Sequence, residues 1–584
     1  MKLSVLALDY DGTIASGDTL DPSVREAIAA ARARGILVLL VTGRILDELR
    51  RVAGDLHFVD GVVAENGALV HFPSSGHTSL LAPSIVPAYV EELQRRGISC
   101  HAGQCLVDAD AADGARLLDV IRTLELPLVL LFNRSRLMTL PQGVSKATGL
   151  HAALDILRAS ARNTVAIGDA ENDHELLRLA EVGMAVEWGS AALRAAADFV
   201  VHGASPADVG ASVRHLADTG RIPVPERARR RLRLGYREDG REFSLAVRGR
   251  NILVTGDARS GKSWMAGLLC EQLILHGYSL CVIDPEGDYR SLEGLPGVSV
   301  LGGHNPPPSP CDLLEALHYP DRSVVIDLSR QRHDAKVAYV RAILPGLSAM
   351  RRRSGLPHRI VLDDAHHFLH NADTSPLIDL TFKGYVVVTY CASRLPKDLL
   401  GATEVVIATC ESNALEVEGL RTMCGCGGCA HTDCACWCRR IGHLQPGQAA
   451  ALPITTEAEG ELRVFTMAPR LTPHVRQREK NADVPVPESR AFVFAANGQL
   501  SGRRANTLRD FVTGLEHATA DMLAGHLRRG DFSRWIRDVF GDRALAAVLQ
   551  ALEERSRVDL DQDAVPDIVN AVRSRYDLTD DTSA

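Results

Sequence analysis

The sequence predicts a multidomain α/β protein: two α/β units in succession, the first interrupted by an inserted α+β segment, then a mainly helical C-terminal region. Three observations carry this expectation. The chain has 584 residues, too many for one core when a domain takes about 100–200. Short, β-branched apolar runs alternate with helix-like stretches from Leu3 to about His215 and again from Asn251 to about Pro469, the rhythm of parallel sheets. Beyond Pro469 the apolar residues of TLRDFVTGLEHATADMLAGHL and DRALAAVLQALEERSR recur at helical spacing.

Taken in order, the first unit spans residues 1–217. Its strand-like runs are LSVLALD, ILVLLVTG, NTVAIGD and ADFVVH, with helix-like PSVREAIAAARARG and NDHELLRLAEVG between them. Residues 72–142 break that rhythm with two helical stretches, VPAYVEELQRRG and ADGARLLDVIRTL, and two strands, PLVLLFN and SRLMTL; they read as a cap inserted between core segments 1–71 and 143–217. Residues 218–250 form a linker and a small β element, and the arginine run RARRRLRLGYREDGRE within them reads as a solvated helix face rather than a polyanion contact. The second unit, 251–469, has strand candidates NILVTG, SLCVID, SVVIDLS, RIVLDD, YVVVTY and EVVIAT and a Cys-rich insert at 424–438. Residues 470–584 form the α-rich end, where HLRRGDFSRWIRDVFGDRALA suggests arginine and aspartate packed around Phe532, Trp535 and Phe540.

Composition sets bounds on function. Hydrophobic content of 46% and charged content of 24% suit a globular protein, and a net charge of -8 supplies no global attraction to nucleic acid or anionic membrane. The apolar run at the N-terminus is too short for a secretory leader, and no stretch is long enough to span a bilayer. The expectation is a cytoplasmic protein without a membrane partner, whose 13 cysteines are not a disulfide framework.

The first candidate site gathers four elements. Asp9 and Asp11, in DYDGT, follow an apolar strand that delivers them to the carboxyl edge of a sheet, where ligands of α/β folds bind. One acid can attack while the other moves protons, and two neighbouring carboxylates repel unless a cation intervenes, which implies magnesium. Thr42, in Thr42-Gly43-Arg44, brings a hydroxyl and backbone N–H groups to the same edge, and Lys146 opens a helix with a point charge. Asp169 and Asp173, in GDAEND, follow a third strand. Nucleophile, acid/base, charge clamp and metal are what in-line phosphoryl transfer requires.

DYDGT, TGR, Lys146 and GDAENDHEL, in that order, resemble the four motifs of the haloacid dehalogenase (HAD) phosphatases; ENGA at Glu65–Ala68 and the position of the cap resemble their Cof-type, sugar-phosphatase-like branch. The resemblance implies a Rossmann-like core with an α+β cap and the hydrolysis of a small phosphorylated substrate. It further implies Asp9 as nucleophile, Asp11 as general acid/base, and Thr42 and Lys146 on the phosphoryl group. Magnesium would be held by Asp9, Asp169, Asp173 and the main-chain oxygen of Asp11. The chain departs from the pattern at Val186-Glu187-Trp188-Gly189, where many relatives carry a short Asn-Ala segment.

A second site begins at Gly256-Asp257-Ala258-Arg259-Ser260-Gly261-Lys262-Ser263, which follows a strand and opens a helix, the context that makes a P-loop credible. Backbone N–H groups of Gly256, Ser260 and Gly261 would cradle phosphates, Lys262 would reach the β and γ groups of ATP, and Ser263 would ligate magnesium. Asp363 and Asp364 end the strand RIVL; Asp363 would hold magnesium through water, and Asp364 stands where many ATPases place a glutamate. With CVIDPEGDY, LDDAHHF and HLQPGQAAAL, the segment Asn251–Pro453 resembles the HerA/FtsK-like ATPases, many of which are ring-forming DNA translocases. That resemblance implies DNA and further copies of the chain as partners, with Arg394 and Arg421 as candidates for an arginine acting in trans.

Cys424, Cys426, Cys429, Cys434, Cys436 and Cys438, with His431, lie within fifteen residues, at spacings from which four thiolates could form a tetrahedral zinc site. The leading expectation is a small-molecule phosphatase fused to an ATP-binding, HerA-like module. The alternatives are a nucleic-acid processing protein, either a DNA translocase or a polynucleotide phosphatase/kinase, and a nucleotide-sensing assembly module with little ATPase activity.

Overall fold

The structure, a computed structural model, describes the chain outside residues 134, 227, 248, 371–376, 425–436, 474–485, 487, 497–498, 541, 559–563 and 577–584. The first unit is built on an eight-stranded sheet in the order Phe199–Val201, Val182–Val186, Thr164–Gly168, Val5–Leu8, Leu37–Val41, Gly61–Ala64, Leu69–Phe72, His77–Leu80; the first six run parallel and the last two antiparallel. Every residue of Val5–Leu8 is buried because helices cover both faces, which is why this strand reads as a continuous apolar run. The cap is residues 87–141 rather than the 72–142 read from the sequence, because His77–Leu80 pairs with Leu69–Phe72 and so extends the core sheet; it is a four-stranded antiparallel sheet with the helices Pro87–Arg95 and Gly114–Thr123 packed on one face.

The second unit is an eleven-stranded sheet. Seven parallel strands, in the order Val405–Ala408, Ile252–Thr255, Tyr385–Thr389, Arg359–Leu362, Leu280–Asp284, Ser323–Asp327, Val298–Gly302, are extended by four antiparallel ones. Those four include Arg231–Arg237 and Glu242–Ala246. The arginine run therefore leads into a strand one place in from the sheet edge, paired on both sides, rather than the solvated helix face read from the sequence: Leu232 and Leu234 point inward and Arg231 and Arg233 outward, a period of two. Just before it, Arg229 pairs with Asp198 at 2.5 Å and Arg230 with Glu181 at 3.4 Å, so part of the charge is spent holding the two units together.

The C-terminal region packs the helices Leu508–His517, Ala520–Arg529, Asp531–Trp535, Arg543–Val558 and Val565–Tyr576 against a hairpin, around an aromatic cluster of Phe492, Phe494, Phe511, Phe532, Trp535 and Phe540. Arg529 and His526 both bond Asp531, at 2.8 Å each. Among the described residues no helix is long and apolar enough to cross a membrane.

The two sheets meet at their amino edges. Ser4 and Asn163, which precede strands of the first sheet, reach Ser354 O at 3.1 Å and His358 Nε2 at 3.0 Å, and Tyr278 OH donates to Glu181 at 2.9 Å. The carboxyl edges, where both candidate sites lie, consequently face away from each other. His358 is buried at this junction. Its Nδ1 accepts the Ser279 N–H at 2.8 Å, leaving Nε2 to donate to Asn163. Burial first, then Arg359, Arg162 and Arg351, hold the imidazole well below its ordinary range. Because the unfolded imidazole takes up a proton near pH 6.5, stability present above that value is lost as pH falls, at about 1.4 kcal/mol per pH unit. His358→Gln is expected to weaken the fold at neutral pH and to flatten the decline in denaturation midpoint on acidification; parallel pH profiles for variant and wild type would show that another group drives the loss.

Candidate active site

Four loops at the carboxyl edge of the first sheet bring Asp9, Thr42, Lys146, Asp169 and Asp173 to one place. Asp9 follows Val5–Leu8, Thr42 follows Leu37–Val41 and Asp169 follows Thr164–Gly168, three neighbouring strands. Lys146 is the first residue of the helix Lys146–Ile156, whose N-terminus is fixed by a reciprocal Ser145/Thr148 capping box. All five are almost wholly enclosed, with Asp9 at 3%, Lys146 at 2% and Asp173 at 0% exposure.

Lys146 Nζ donates to Asp9 Oδ1 and to Asp173 Oδ1, 2.6 Å each. Asp173 Oδ2 accepts the N–H groups of Asp169 and Ala170 at 3.0 Å, and Thr13 Oγ1 donates to Asp169 Oδ1 at 3.3 Å. Burial and the Asp173 carboxylate raise the Asp9 carboxyl above the usual range despite the ammonium beside it, and the two carboxylates hold the Lys146 ammonium charged against its own burial. One ligand oxygen each from Asp9, Asp169 and Asp173 lies within 4.8 Å of the others. Three buried carboxylates with one ammonium between them form an all-oxygen set with surplus negative charge, which suits a hard divalent cation such as magnesium.

Asp11 stands apart from this cluster. Its carboxylate is gripped by Arg44, whose Nε lies 2.8 and 2.9 Å from its two oxygens and whose Nη2 lies 2.6 Å from Oδ1; the same guanidinium bonds Asp18. Arg44 was visible in the sequence only as the third letter of TGR, and its partners emerge once the Leu37–Val41 strand lies beside Val5–Leu8. Trp188, at the point of departure from the family pattern, donates Nε1–H to Gly12 O at 2.7 Å and, with Asp11, Arg44 and Asp169, lines an open cavity of about 740 Å³.

The cap is seated on the core by the ENGA loop. Glu65 accepts the N–H groups of Gln104 at 3.0 Å and Cys105 at 2.7 Å, and Ile45 packs with the cap residues Leu106, Met138 and Leu140. The loop requires Gly67: φ is +105°, and a Cβ there would stand 1.9 Å from Ser145 O, beside the helix that carries Lys146.

At the second sheet the P-loop lies between Ile252–Thr255 and the helix Lys262–Leu275, with Gly256 and Gly261 at positive φ. Lys262 is buried and donates to Asp257 O at 2.8 Å; burial lowers its pKa while Asp364, Asp363, Glu411 and Asp257 raise it. Asp363 is enclosed and pushed well up by burial and Asp364, and its Oδ1 accepts the Asp364 N–H at 3.0 Å. Asp284, unremarked in the sequence, accepts N–H groups from Glu286, Gly287, Asp288 and Tyr289, and burial pushes it up to about 8. Ser260 bonds Thr409, and Ser263 lies half-buried in the first turn of the helix.

Arg421 bonds Glu418 of its own helix at 2.8 Å, and Arg394 is exposed in the turn Ala392–Arg394. Of the candidate zinc ligands, Cys424 and Cys438 are half-buried, while Cys426, Cys429, Cys434, Cys436 and His431 lie outside the described residues.

Residues 6–110 and 125–207 match the family model described as haloacid dehalogenase-like hydrolase, and residues 247–330 match that of the helicase HerA central domain. A phosphoglycolate phosphatase of Natronomonas pharaonis is 33% identical over 206 residues, 33% of this chain and 89% of that protein. One of Halorubrum lacusprofundi is 33% identical over 219 residues, 34% of this chain and 89% of that protein. A solved HAD subclass IIB sugar phosphatase is 19% identical, with 38% of this chain and 100% of that chain covered and a TM-score of 0.31.

Proposed function

Since the chain belongs, through residues 6–207, to the haloacid dehalogenase-like hydrolases, and is a phosphoric monoester hydrolase of that type, we propose that it cleaves a small organic phosphate by way of an aspartyl-phosphate on Asp9. The observation that carries the reading is the Lys146 ammonium held 2.6 Å from both Asp9 and Asp173, with Asp169 alongside. In this reading Asp9 attacks phosphorus and the ester oxygen leaves with a proton from Asp11, whose orientation Arg44 fixes. Asp11 then takes a proton from the water that hydrolyses the acyl phosphate. Thr42 and Lys146 hold the phosphoryl oxygens. Magnesium on Asp9, Asp169 and Asp173 would offset charge on the transferring group.

Phosphoglycolate, the substrate in the names of two relatives, is the first compound to test. Phosphate release should be measured over phosphoglycolate, sugar phosphates, nucleotides and 3′-phosphorylated DNA, with magnesium and with EDTA. Turnover of one small ester that EDTA abolishes and magnesium restores is expected; a preference for the DNA end would support the polynucleotide alternative instead.

For the HerA-like unit the proposal is ATP binding at the P-loop, with Asp363 and Asp364 in the magnesium and water-orienting positions. Lys262→Ala should lose ATP binding by roughly 10²-fold or more while phosphatase activity is unchanged, because the two sites occupy opposite edges of the joined sheets. A parallel loss of both activities would mean that the heads act as one. ATP turnover with and without DNA separates translocase from nucleotide sensor, and sizing with a non-hydrolysable analogue tests assembly.

A further inference from the structure

The loop Glu65–Gly67 carries none of the reacting groups, yet its backbone is held where side chains are disfavoured: φ is +51° at Glu65, +55° at Asn66 and +105° at Gly67. Two consecutive non-glycine residues stay in the left-handed region only where their surroundings fix them there, and backbone of this kind gathers at functional sites. Toward the core, the Glu65 N–H donates to Arg44 O at 2.9 Å and the Asn66 N–H to Thr42 O at 3.0 Å. The loop is thereby bonded to the segment that presents the Thr42 hydroxyl and the guanidinium on Asp11. Asn172, the neighbour of Asp173, donates Nδ2–H to Asn66 Oδ1 at 3.2 Å. The Lys146 helix comes so near that a Cβ on Gly149 would stand 2.5 Å from Gly67 Cα.

Toward the cap, the buried Glu65 side chain gives each of its oxygens to a different N–H group, Oε1 to Gln104 at 3.0 Å and Oε2 to Cys105 at 2.7 Å. Gly103 makes room for them, since a Cβ there would lie 2.6 Å from Oε1. The same stretch of the cap holds the linker by which the chain enters it: the Ile85 N–H donates to Gln104 O at 2.9 Å and Cys105 Sγ to Ala82 O at 3.3 Å. At the other end of that linker the Leu81 N–H donates to Ala68 O at 2.8 Å. One strained loop thus touches the cap, its linker and the segments that carry Thr42, Arg44, Lys146 and Asp173.

We propose that Glu65 is a positioning residue that couples seating of the cap to assembly of the phosphoryl-holding loop, so that the site is complete only when the cap is down. The inference rests on the reading of Asp9, Thr42 and Lys146 as a phosphatase site. With the cap seated, the bonds to Gln104 and Cys105 hold Glu65 and Asn66 in the left-handed region, and their N–H groups keep Arg44 O and Thr42 O in place. Once those bonds are lost the two residues relax toward ordinary backbone, and the grip on Thr42 and Arg44 loosens. Misplacement by about 1 Å can cost about 10²-fold in rate. Turnover is thereby confined to molecules over which the cap has closed.

The test breaks the contact from each side in the full chain. Glu65→Gln turns one accepting oxygen into a donor that faces an N–H group, whereas Gly103→Ala leaves the core sequence intact and sets a methyl against the same carboxylate. Phosphate release from phosphoglycolate and from p-nitrophenyl phosphate is measured with magnesium, together with amide hydrogen exchange over 42–46, 64–68 and 100–106. Each variant is expected to lower kcat by about tenfold or more with KM within about threefold of wild type. The double variant should be no slower than the slower single one, because both changes remove one contact. Exchange over 64–68 should quicken in Gly103→Ala even though that substitution lies in the cap. If both variants raise KM, leave kcat intact and alter exchange over 100–106 alone, Glu65 only seats the cap; the coupling is then wrong and the phosphatase reading stands. If wild type releases phosphate from neither ester, or Asp9→Asn releases it as fast as wild type, that reading fails and this inference falls with it.

Discussion

Asp9→Asn is expected to cut phosphate release by roughly 10³-fold or more, because the amide cannot form the acyl-phosphate bond on which the proposed two-step reaction depends. The substitution is nearly isosteric, and it removes one negative charge from a site where Asp9, Asp169 and Asp173 already crowd a single ammonium. The folded protein should therefore be at least as stable as wild type, so the loss cannot be assigned to unfolding. Thermal unfolding and phosphate release on the same preparation check both halves. A variant that folds normally and keeps more than about a tenth of the activity would falsify Asp9 as nucleophile.

The second large effect belongs to Lys146→Met. Methionine matches the length of the side chain but leaves Asp9 and Asp173 buried without the ammonium that now bonds both. Removing one partner of a buried ion pair costs about 3–5 kcal/mol, and here two carboxylates lose the same partner. A marked fall in unfolding midpoint is expected, together with near-complete loss of phosphatase activity. Magnesium should recover part of the stability and none of the activity, because a cation on the three carboxylates offsets their charge but does not restore the donor that Lys146 provides to the phosphoryl group. An unchanged midpoint without magnesium would show that Asp9 and Asp173 do not need the ammonium, and with it the charge argument for this site would fail.

Much of this arrangement was legible in the sequence because its signals are local. A buried parallel strand followed by a short polar loop is readable as such, and five of these, ending at Asp9, Thr42, Asp169, Gly256 and Asp363, place the proposed chemistry at sheet edges. Lys146 was legible as the residue that opens a helix, and its place in the order of motifs gave it a role. The arginine run before Arg237 was misread because charge density suggested a helix face, whereas the alternation of Leu232 and Leu234 with arginine is the period of a strand.

The sequence by itself determined the kinds of unit in this protein, the loops that carry the acids, and the family of the first unit, since these follow from periodicity and from residues a few positions apart. Only the tertiary structure decided that Arg44 grips Asp11, that Glu65 seats the cap, that the two sheets meet at their amino edges, and that Arg259 of the P-loop bonds Val539 and Phe540 of the C-terminal region. Each of those contacts joins segments tens to hundreds of residues apart. The choice among such pairings is made by packing and burial summed over the whole fold, and no short window of sequence contains that sum.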